Sequence, residues 1–277
     1  MADVTTPAKE GYQAIRRSQW IEPLTRIGFL CKGVVYVLLG ALAVMYAFNV
    51  GGETTDQRGV MREIAAQPFG TVLLIVMAVG LLGYALWRFI CAFSGADGDG
   101  TDAKGLGARA GHFGSGAAYT GIALYAMKLL WGGSSQHKDA AKSWTARLLA
   151  IPGGELLVVL AGLVVIGAGV FEIRNGLREE FKDYLRTHSM GAEENRWATT
   201  AGKWGHVARG VVFGMVGVFL CYAAWRANPN EARGISGVLN TVVAQPFGQW
   251  MLGLLALGLV CYGVYCMIEA KYRRIRT

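Results

Sequence analysis

The tetrapeptide Gln67-Pro68-Phe69-Gly70 recurs unchanged as Gln245-Pro246-Phe247-Gly248. A degraded copy, Ile151-Pro152-Gly153-Gly154, lies between them, again after a short amphipathic segment and before a long apolar one. Three of the six prolines in the chain occupy this one position. Such recurrence indicates an internal repeat with one structural unit per copy. Because proline ends a preceding helix and suits a first helical turn, each motif is predicted to turn the chain into the first turn of the next helix.

Long apolar segments dominate the sequence. The chain has 277 residues, and 53% of them are hydrophobic. A run of about 20 apolar residues is long enough to cross a bilayer as a helix. Six such runs lie at roughly 27–48, 70–92, 113–131, 155–173, 206–225 and 249–268. The sequence therefore predicts an all-α integral membrane protein with six transmembrane helices and no large soluble domain.

A second pattern opens each odd-numbered run, and it reads basic, glycine, ring, polar, glycine, aromatic. The copies are Arg26-x-Gly28-Phe29-x-x-Lys32-Gly33-x-x-Tyr36, Arg109-x-Gly111-His112-x-x-Ser115-Gly116-x-x-Tyr119 and Lys203-x-Gly205-His206-x-x-Arg209-Gly210-x-x-Phe213. The pattern predicts one membrane domain over 1–277 with tandem two-helix repeats at 24–93, 107–175 and 201–270. Repeats with an even number of spans share one orientation, which allows a pseudo-threefold arrangement about the membrane normal.

Helical periodicity places this pattern on one face of each odd-numbered helix. At about 100° per residue, Gly33 and Tyr36 lie on the same side of the first helix as Phe29. Equivalent faces predict equivalent surroundings, so either each odd helix packs on the even helix of its own repeat or all three face a common axis. The small residues Gly33, Gly116 and Gly210 are expected to allow close helix packing. Aromatic residues near the ends of the even helices, such as Tyr84 and Tyr262, are interpreted as an interfacial belt.

Short apolar stripes precede the proline motifs. Val60, Met61 and Ile64 lie before the first motif, and Val238, Leu239 and Val242 lie before the last. This spacing is that of a short amphipathic helix. The stripes predict short interfacial helices in the outside loops, lying on the outer membrane surface.

Basic residues concentrate in alternate connections. The N-terminal segment with Lys32, the 88–109 loop, the 174–209 segment and the C-terminal tail hold 19 of the 27 Lys and Arg residues. This asymmetry follows the positive-inside rule and predicts that both termini are cytoplasmic. The net charge of +8 is then a consequence of topology, and nucleic-acid binding is not expected.

The 174–203 segment carries apolar residues among many charges. Leu177, Phe181 and Leu185 alternate with acidic and basic side chains. The pattern predicts that the fourth helix continues into the cytoplasm with one apolar face. Such a face would be a docking surface for a membrane-protein partner.

Five basic residues of the repeated pattern are candidate binding residues. Arg26, Arg109 and Lys203 lie at the cytoplasmic ends of the odd helices, whereas Lys32 and Arg209 lie deeper. Charges at such depth are costly and often functional, although long side chains can also reach the headgroups. Around a common axis the cations would repel one another unless an anion sat among them. Otherwise they would form separate sites for anionic phospholipid headgroups.

No catalytic constellation is visible. His112 and His206 occupy equivalent positions, which suits either a haem ligand pair or hydrogen-bonded packing residues. Because the third equivalent is Phe29 and no deeper histidine exists, packing is favoured. The five cysteines lack metal-ligand spacing. We therefore expect no enzyme activity, no metal and no cofactor.

The chain resembles the bacterial membrane proteins grouped as domain of unknown function 1206. The resemblance is carried by the basic-x-Gly pattern, by Ala-x-Pro-Phe-Gly at Ala66 and Ala244, and by Gly83-Tyr84-Ala85-Leu86-Trp87-Arg88. It covers about residues 24–270. It implies six spans in three two-helix repeats and no known activity, and it agrees with a multi-pass protein of the bacterial inner (plasma) membrane.

Two functions agree with these features. The first is a structural or accessory protein that binds lipid or a membrane partner. The second is a transporter or channel for a small anion along the pseudo-threefold axis. A continuous polar cavity on the axis would favour transport, and a closed apolar axis would favour the accessory role.

Overall fold

Nine α-helices contain most of the residues that the computed structural model describes, which are 20–95, 100, 102–133 and 140–275. In chain order they are α1 (Ile21–Ala47), α2 (Gln57–Ala66), α3 (Gly70–Ser94), α4 (Ala103–Leu130), α5 (Ala140–Leu149), α6 (Gly154–Arg178), α7 (Ala192–Trp225), α8 (Ile235–Val243) and α9 (Gly248–Tyr272). Each repeat thus has a long helix, a short helix and a second long helix. The prediction of an all-α protein is confirmed.

Five of the six long helices, all except α4, are long and apolar enough to cross a bilayer. With 28 residues, α4 also has the length. Its glycines and its polar residues, such as Ser115 and Lys128, lower its hydropathy. The protein is therefore a multi-pass membrane protein, and the predicted span 113–131 in α4 does not reach the hydropathy of the other five.

The proline motif forms a tight turn before α3, α6 and α9. The amide of Gly70 donates to Gln67 O at 2.8 Å, and the other two motifs contain the same bond at 3.0 and 2.8 Å. The residue after each proline has a positive φ of 63°, 75° or 60°, as in a type II turn with proline at its second position. The prediction that proline lies in the first helical turn is wrong, because each helix begins two residues later.

A glycine is required at the start of each of these helices. A Cβ on Gly70, Gly154 or Gly248 would overlap carbonyl oxygens at the end of the preceding short helix. The motif therefore holds two helices at a separation that only glycine permits. This explains why its glycine persists in the degraded copy whereas phenylalanine is replaced by Gly153.

The long helices form an arc. Each repeat's first long helix packs most extensively on the last helix of the repeat before it, so that α1 packs on α9, α4 on α3 and α7 on α6. Within repeats, α1 also packs on α3 and α7 on α9, whereas α4 and α6 make at most marginal contact in the described residues. The neighbours are thus α4, α3, α1, α9, α7 and α6, with an opening between α4 and α6.

Glycines of the repeated pattern lie at the interfaces between repeats. A Cβ on Gly33 would lie 2.8 Å from Gly263 O, and one on Gly210 would lie 2.6 Å from Gly169 O. The equivalent Gly116 faces the Phe89 ring, whose nearest atom would be 3.0 Å away. These glycines allow close approach to the closing helix of the preceding repeat.

Another glycine of the pattern lies at the interface within each repeat. A Cβ on Gly28 would be 2.6 Å from Tyr84 N, and one on Gly205 would be 2.5 Å from Tyr262 N. The equivalent Gly111 has no described heavy atom within 4 Å of such a Cβ. The same holds for Gly107 and Gly114 on α4 and Gly167 on α6. The middle repeat therefore has the glycine at this position, although no described helix packs against it.

The short helices α2 and α8 bury their apolar stripes in the bundle. Val60 and Met61 are fully buried, as are Val238 and Leu239. The stripes that predicted interfacial helices are thus explained by packing on the long helices. Helix α5 differs, since Thr145 is its buried residue and Trp144 is exposed.

The segment after α6 folds back onto the bundle. Helix α6 ends at Arg178, and short 3₁₀ turns follow at Glu180–Tyr184 and Thr187–Ser189. Phe181 and Leu185 are buried. The predicted continuation of the fourth helix is wrong beyond Arg178, where the chain forms 3₁₀ turns. Phe181 and Leu185 do not form an exposed apolar face, because they pack in the protein's own core. At the start of this segment, Lys182 donates a 2.5 Å hydrogen bond to Glu179. This bond lowers the pKa of the Glu179 carboxyl below its usual value.

The glycine contacts predict that equivalent positions differ in their tolerance of alanine. Gly28→Ala and Gly205→Ala should lower the unfolding temperature in detergent, since overpacking costs about 1–3 kcal/mol. Gly111→Ala is the matched control and should not lower it, because its Cβ meets open space and alanine favours helix by about 1 kcal/mol over glycine. Thermal unfolding of the three purified variants measures this. Equal losses in all three would show that α4 and α6 are packed together.

Candidate functional site

Lys32 lies inside the bundle and is only 1% exposed. Its Nζ donates to Tyr84 Oη at 3.1 Å and to Tyr262 Oη at 2.8 Å. It also lies within 6.0 Å of the ring centres of Phe29, Tyr84, Tyr119 and Tyr262. Phenol oxygens and ring faces stabilise the ammonium. Within the described chain, no carboxylate forms an ion pair with it.

Arg209 on α7 is the second buried cation of this centre. Its Nη1 forms an ion pair with Glu172 Oε1 and donates to Tyr262 Oη at 3.0 Å. Its Nε donates to Tyr36 Oη at 3.2 Å. Tyr262 Oη therefore accepts hydrogen bonds from both Lys32 and Arg209. One neutral oxygen joins two positive charges.

Glu172 on α6 binds a second partner through its other oxygen. Oε2 lies 2.5 Å from His206 Nδ1, and the imidazole stacks on Phe181 with ring centres 5.3 Å apart. Among the described residues, no partner exists for His206 Nε2, which is buried. The sequence allows two roles for this histidine, a haem ligand and a hydrogen-bonded packing residue. The contacts of His206 agree with the second role.

The hydrogen bonds continue on the other side of Lys32. Arg88 Nε donates to Tyr84 Oη at 2.7 Å, and its Nη1 lies 2.8 Å from His112 Nδ1. All six long helices contribute to the resulting network. In order, it contains His112, Arg88, Tyr84, Lys32, Tyr262, Arg209, Glu172 and His206, with Tyr36 attached to Arg209.

The network is built from equivalent positions of the three repeats. The sets are Lys32, Ser115 and Arg209; Phe29, His112 and His206; Tyr84, Ala168 and Tyr262; and Arg88, Glu172 and Cys266. The first two sets belong to the pattern that the sequence revealed. The other two were missed, although Tyr84 and Tyr262 each lie 14 residues after the glycine of the proline motif. Their interpretation as an interfacial belt is wrong, because both side chains are buried.

The structure distributes the five predicted cations differently. It joins Lys32 and Arg209 through Tyr262, as described above. Arg26 lies apart from that centre, where it pairs with Glu22 at 2.7 Å and donates from Nη1 to Ala270 O and Lys271 O, both at 2.7 Å. These bonds satisfy carbonyls at the end of α9 and tie it to α1. The remaining two, Arg109 and Lys203, are half-buried on α4 and α7.

Long apolar helices in three repeats around a buried polar network define a multi-pass, internally repeated membrane protein. The chain belongs to the family described as Domain of Unknown Function (DUF1206), whose model matches residues 27–95, 110–179 and 204–273. The resemblance found in the sequence is thus confirmed. The chain is also 33% identical over 256 residues to the uncharacterized protein YxxB of Bacillus subtilis (strain 168), covering 92% of each. No solved structure matches it.

The ion pair predicts a large effect of one substitution. Glu172→Gln leaves the buried Arg209 guanidinium without its carboxylate, and breaking such a pair costs about 3–5 kcal/mol. The unfolding temperature in detergent should fall by several degrees and recover in part in Glu172→Gln/Arg209→Gln. The matched control is Glu180→Gln, which removes an exposed pair with Arg174 worth about 0–1 kcal/mol. Equal effects of the two single variants would contradict the buried pairing.

Proposed function

We propose that the protein is an accessory membrane protein that binds an anionic group, with a phospholipid phosphate as the first choice, at the centre around Lys32 and Arg209. One observation carries the proposal. Two buried cations share Tyr262, whereas Glu172 is their single carboxylate partner in the described chain. The centre formed by these three ionisable groups has an excess of positive charge.

Electrostatics favours a bound anion at such a centre. Removing a cation from water is costly, and inside a membrane the cost falls only when an opposite charge or a polar partner is close. The described groups that contact Lys32 are phenol hydroxyls and ring faces, and none of them is a carboxylate. An anion would supply the missing charge, and guanidinium and ammonium groups are the usual partners of phosphate.

The far half of the bundle favours binding over transport. Beyond Tyr36, α1 continues with Leu39 and Ala43, and both are fully buried. Ala123 and Ala126 on α4 are buried as well. These apolar side chains close the core towards the short helices, so the polar network does not continue outward. A binding site that does not continue across the membrane agrees with this packing better than a channel for a small anion.

The proposal includes the placement in the membrane. We take the six long helices as six spans in a pseudo-threefold arrangement, with the short helices near the outer surface of the bacterial inner membrane. Exposed aromatics support two interfacial levels. Near the short helices they include Phe69, Trp131, Trp225 and Phe247, and at the opposite end they include Trp20, Phe93 and Trp197. Positive charge at the latter end supports cytoplasmic termini. Partner docking through the 174–203 segment stays a prediction, and Leu177 and Trp197 are its large exposed apolar residues.

Labelling in intact cells tests the orientation. Single cysteines at Lys142 and Ser189, both exposed, are introduced into a variant without the five native cysteines. A membrane-impermeant maleimide should label Lys142→Cys and should not label Ser189→Cys until the cells are permeabilised. The opposite pattern would reverse the topology.

Native mass spectrometry tests the binding proposal. The wild type should retain phosphatidylglycerol in preference to phosphatidylethanolamine. Lys32→Met should reduce that retention roughly tenfold or more, as expected for losing a charged hydrogen bond of about 1.5–3 kcal/mol. The control is Arg26→Gln, which removes the same charge outside the centre and should retain the lipid. Equal retention by wild type and Lys32→Met would refute the site.

A further inference from the structure

Two phenol hydroxyls connect neighbouring members of the equivalent set Lys32, Ser115 and Arg209. Tyr84 Oη accepts from Lys32 and lies beside Ser115. Tyr262 Oη accepts from Lys32 and from Arg209. The third connection, between Arg209 and Ser115, falls to the equivalent position Ala168, which carries no hydroxyl. The sector of the centre between Arg209 and Ser115 therefore lacks the phenol oxygen that the other two sectors possess.

The missing phenol coincides with the opening between α4 and α6. Ala168 is exposed, and it lies one turn before Glu172 on the same face of α6. Across the opening, Gly111 lies one turn before Ser115 on α4 and has only open space around it in the described structure. In the other two repeats, Gly28 and Gly205 contact the backbone of the bridging tyrosine itself. The opening thus lies beside the incomplete sector.

A buried tyrosine hydroxyl borders this sector. The Tyr119 side chain is 3% exposed, and apart from a contact with the Tyr36 hydroxyl its own hydroxyl has no hydrogen-bond partner among the described residues. Its ring centre lies 4.7 Å from that of Tyr84 and 5.7 Å from Lys32 Nζ. The equivalent hydroxyl of Tyr36 accepts from Arg209. Tyr119 lies one turn after Ser115 on α4, and its contacts with Tyr84 and Lys32 place its side chain at the centre onto which the sector opens.

We infer that a phospholipid reaches this sector from the bilayer between α4 and α6, and that its phosphate takes the place of the third phenol oxygen. The inference rests on the anion-binding function proposed above and adds the ligand and its route. Arg209, Ser115 and Tyr119 are the hydrogen-bond donors of the centre that borders this sector, so an anionic acceptor is the complementary group. The opening separates two long helices rather than the helix ends. An acyl chain can therefore remain in the bilayer beside the exposed Val164 of α6.

Filling the sector tests the inference. Ala168→Tyr supplies the missing phenol, and Gly111→Leu fills the opening from α4, where no described atom lies within 4 Å of a Cβ. Both variants should unfold at or above the wild-type temperature. In native mass spectrometry their retention of phosphatidylglycerol should fall roughly tenfold or more, as expected for the loss of a charged hydrogen bond. The control Val170→Tyr adds the same side chain at an exposed position elsewhere on α6 and should retain the lipid.

The outcomes separate this route from the binding function itself. If Lys32→Met loses the lipid while Ala168→Tyr and Gly111→Leu keep it, the centre binds anions and the lateral route is wrong. If Lys32→Met also keeps it, the proposed function fails as well. Val170 also lines an apolar groove between α6 and α7, together with Ile166, Gly210 and Gly214. Loss in Val170→Tyr instead would therefore assign the lipid to that groove. A second arm titrates delipidated protein with phosphatidylglycerol or inorganic phosphate, and stabilisation by phosphate alone to the same extent would overturn a lipid ligand.

Discussion

Positive charge inside a helix bundle is the constraint on which this structure depends. Lys32 is buried in the protein with phenol hydroxyls and aromatic faces as its described partners. Those partners come from α3 and α9, and Tyr262 extends the contact to Arg209 on α7. Because a buried cation tolerates little loss of its partners, the helices that provide them are fixed relative to one another. The network thereby couples the packing of all three repeats.

Repetition and divergence have different consequences here. The proline turn, the close-packing glycines and the aromatic positions recur, and they give the repeats a common backbone. The middle repeat keeps Gly111 but has Ala168 and Ser115 where the others have tyrosine and a cation. Its two long helices stand apart at the same place. The departure from the repeat thus coincides with the open space between α4 and α6.

Much of the fold was predictable from the sequence, because helix lengths and repeats depend on local patterns. The site was predictable only in part. The depth of Lys32 and Arg209 follows from their positions in α1 and α7, but their partners lie on helices whose apolar composition hides a buried Tyr84 or Tyr262. Glycine positions also do not tell which neighbour a helix approaches. Likewise, an apolar stripe such as that of Phe181 looks the same whether it packs on its own chain or on a partner.

The most direct test of the account is a distance measurement by pulsed electron paramagnetic resonance. Spin labels at Ile27 and Leu86 report on the first repeat, and labels at the equivalent Ala110 and Val170 report on the second; all four positions are exposed. The account predicts a longer distance in the second pair, in a cysteine-free variant reconstituted in lipid. Equal distances in the two repeats would mean that α4 and α6 are packed together, which would contradict the open sector.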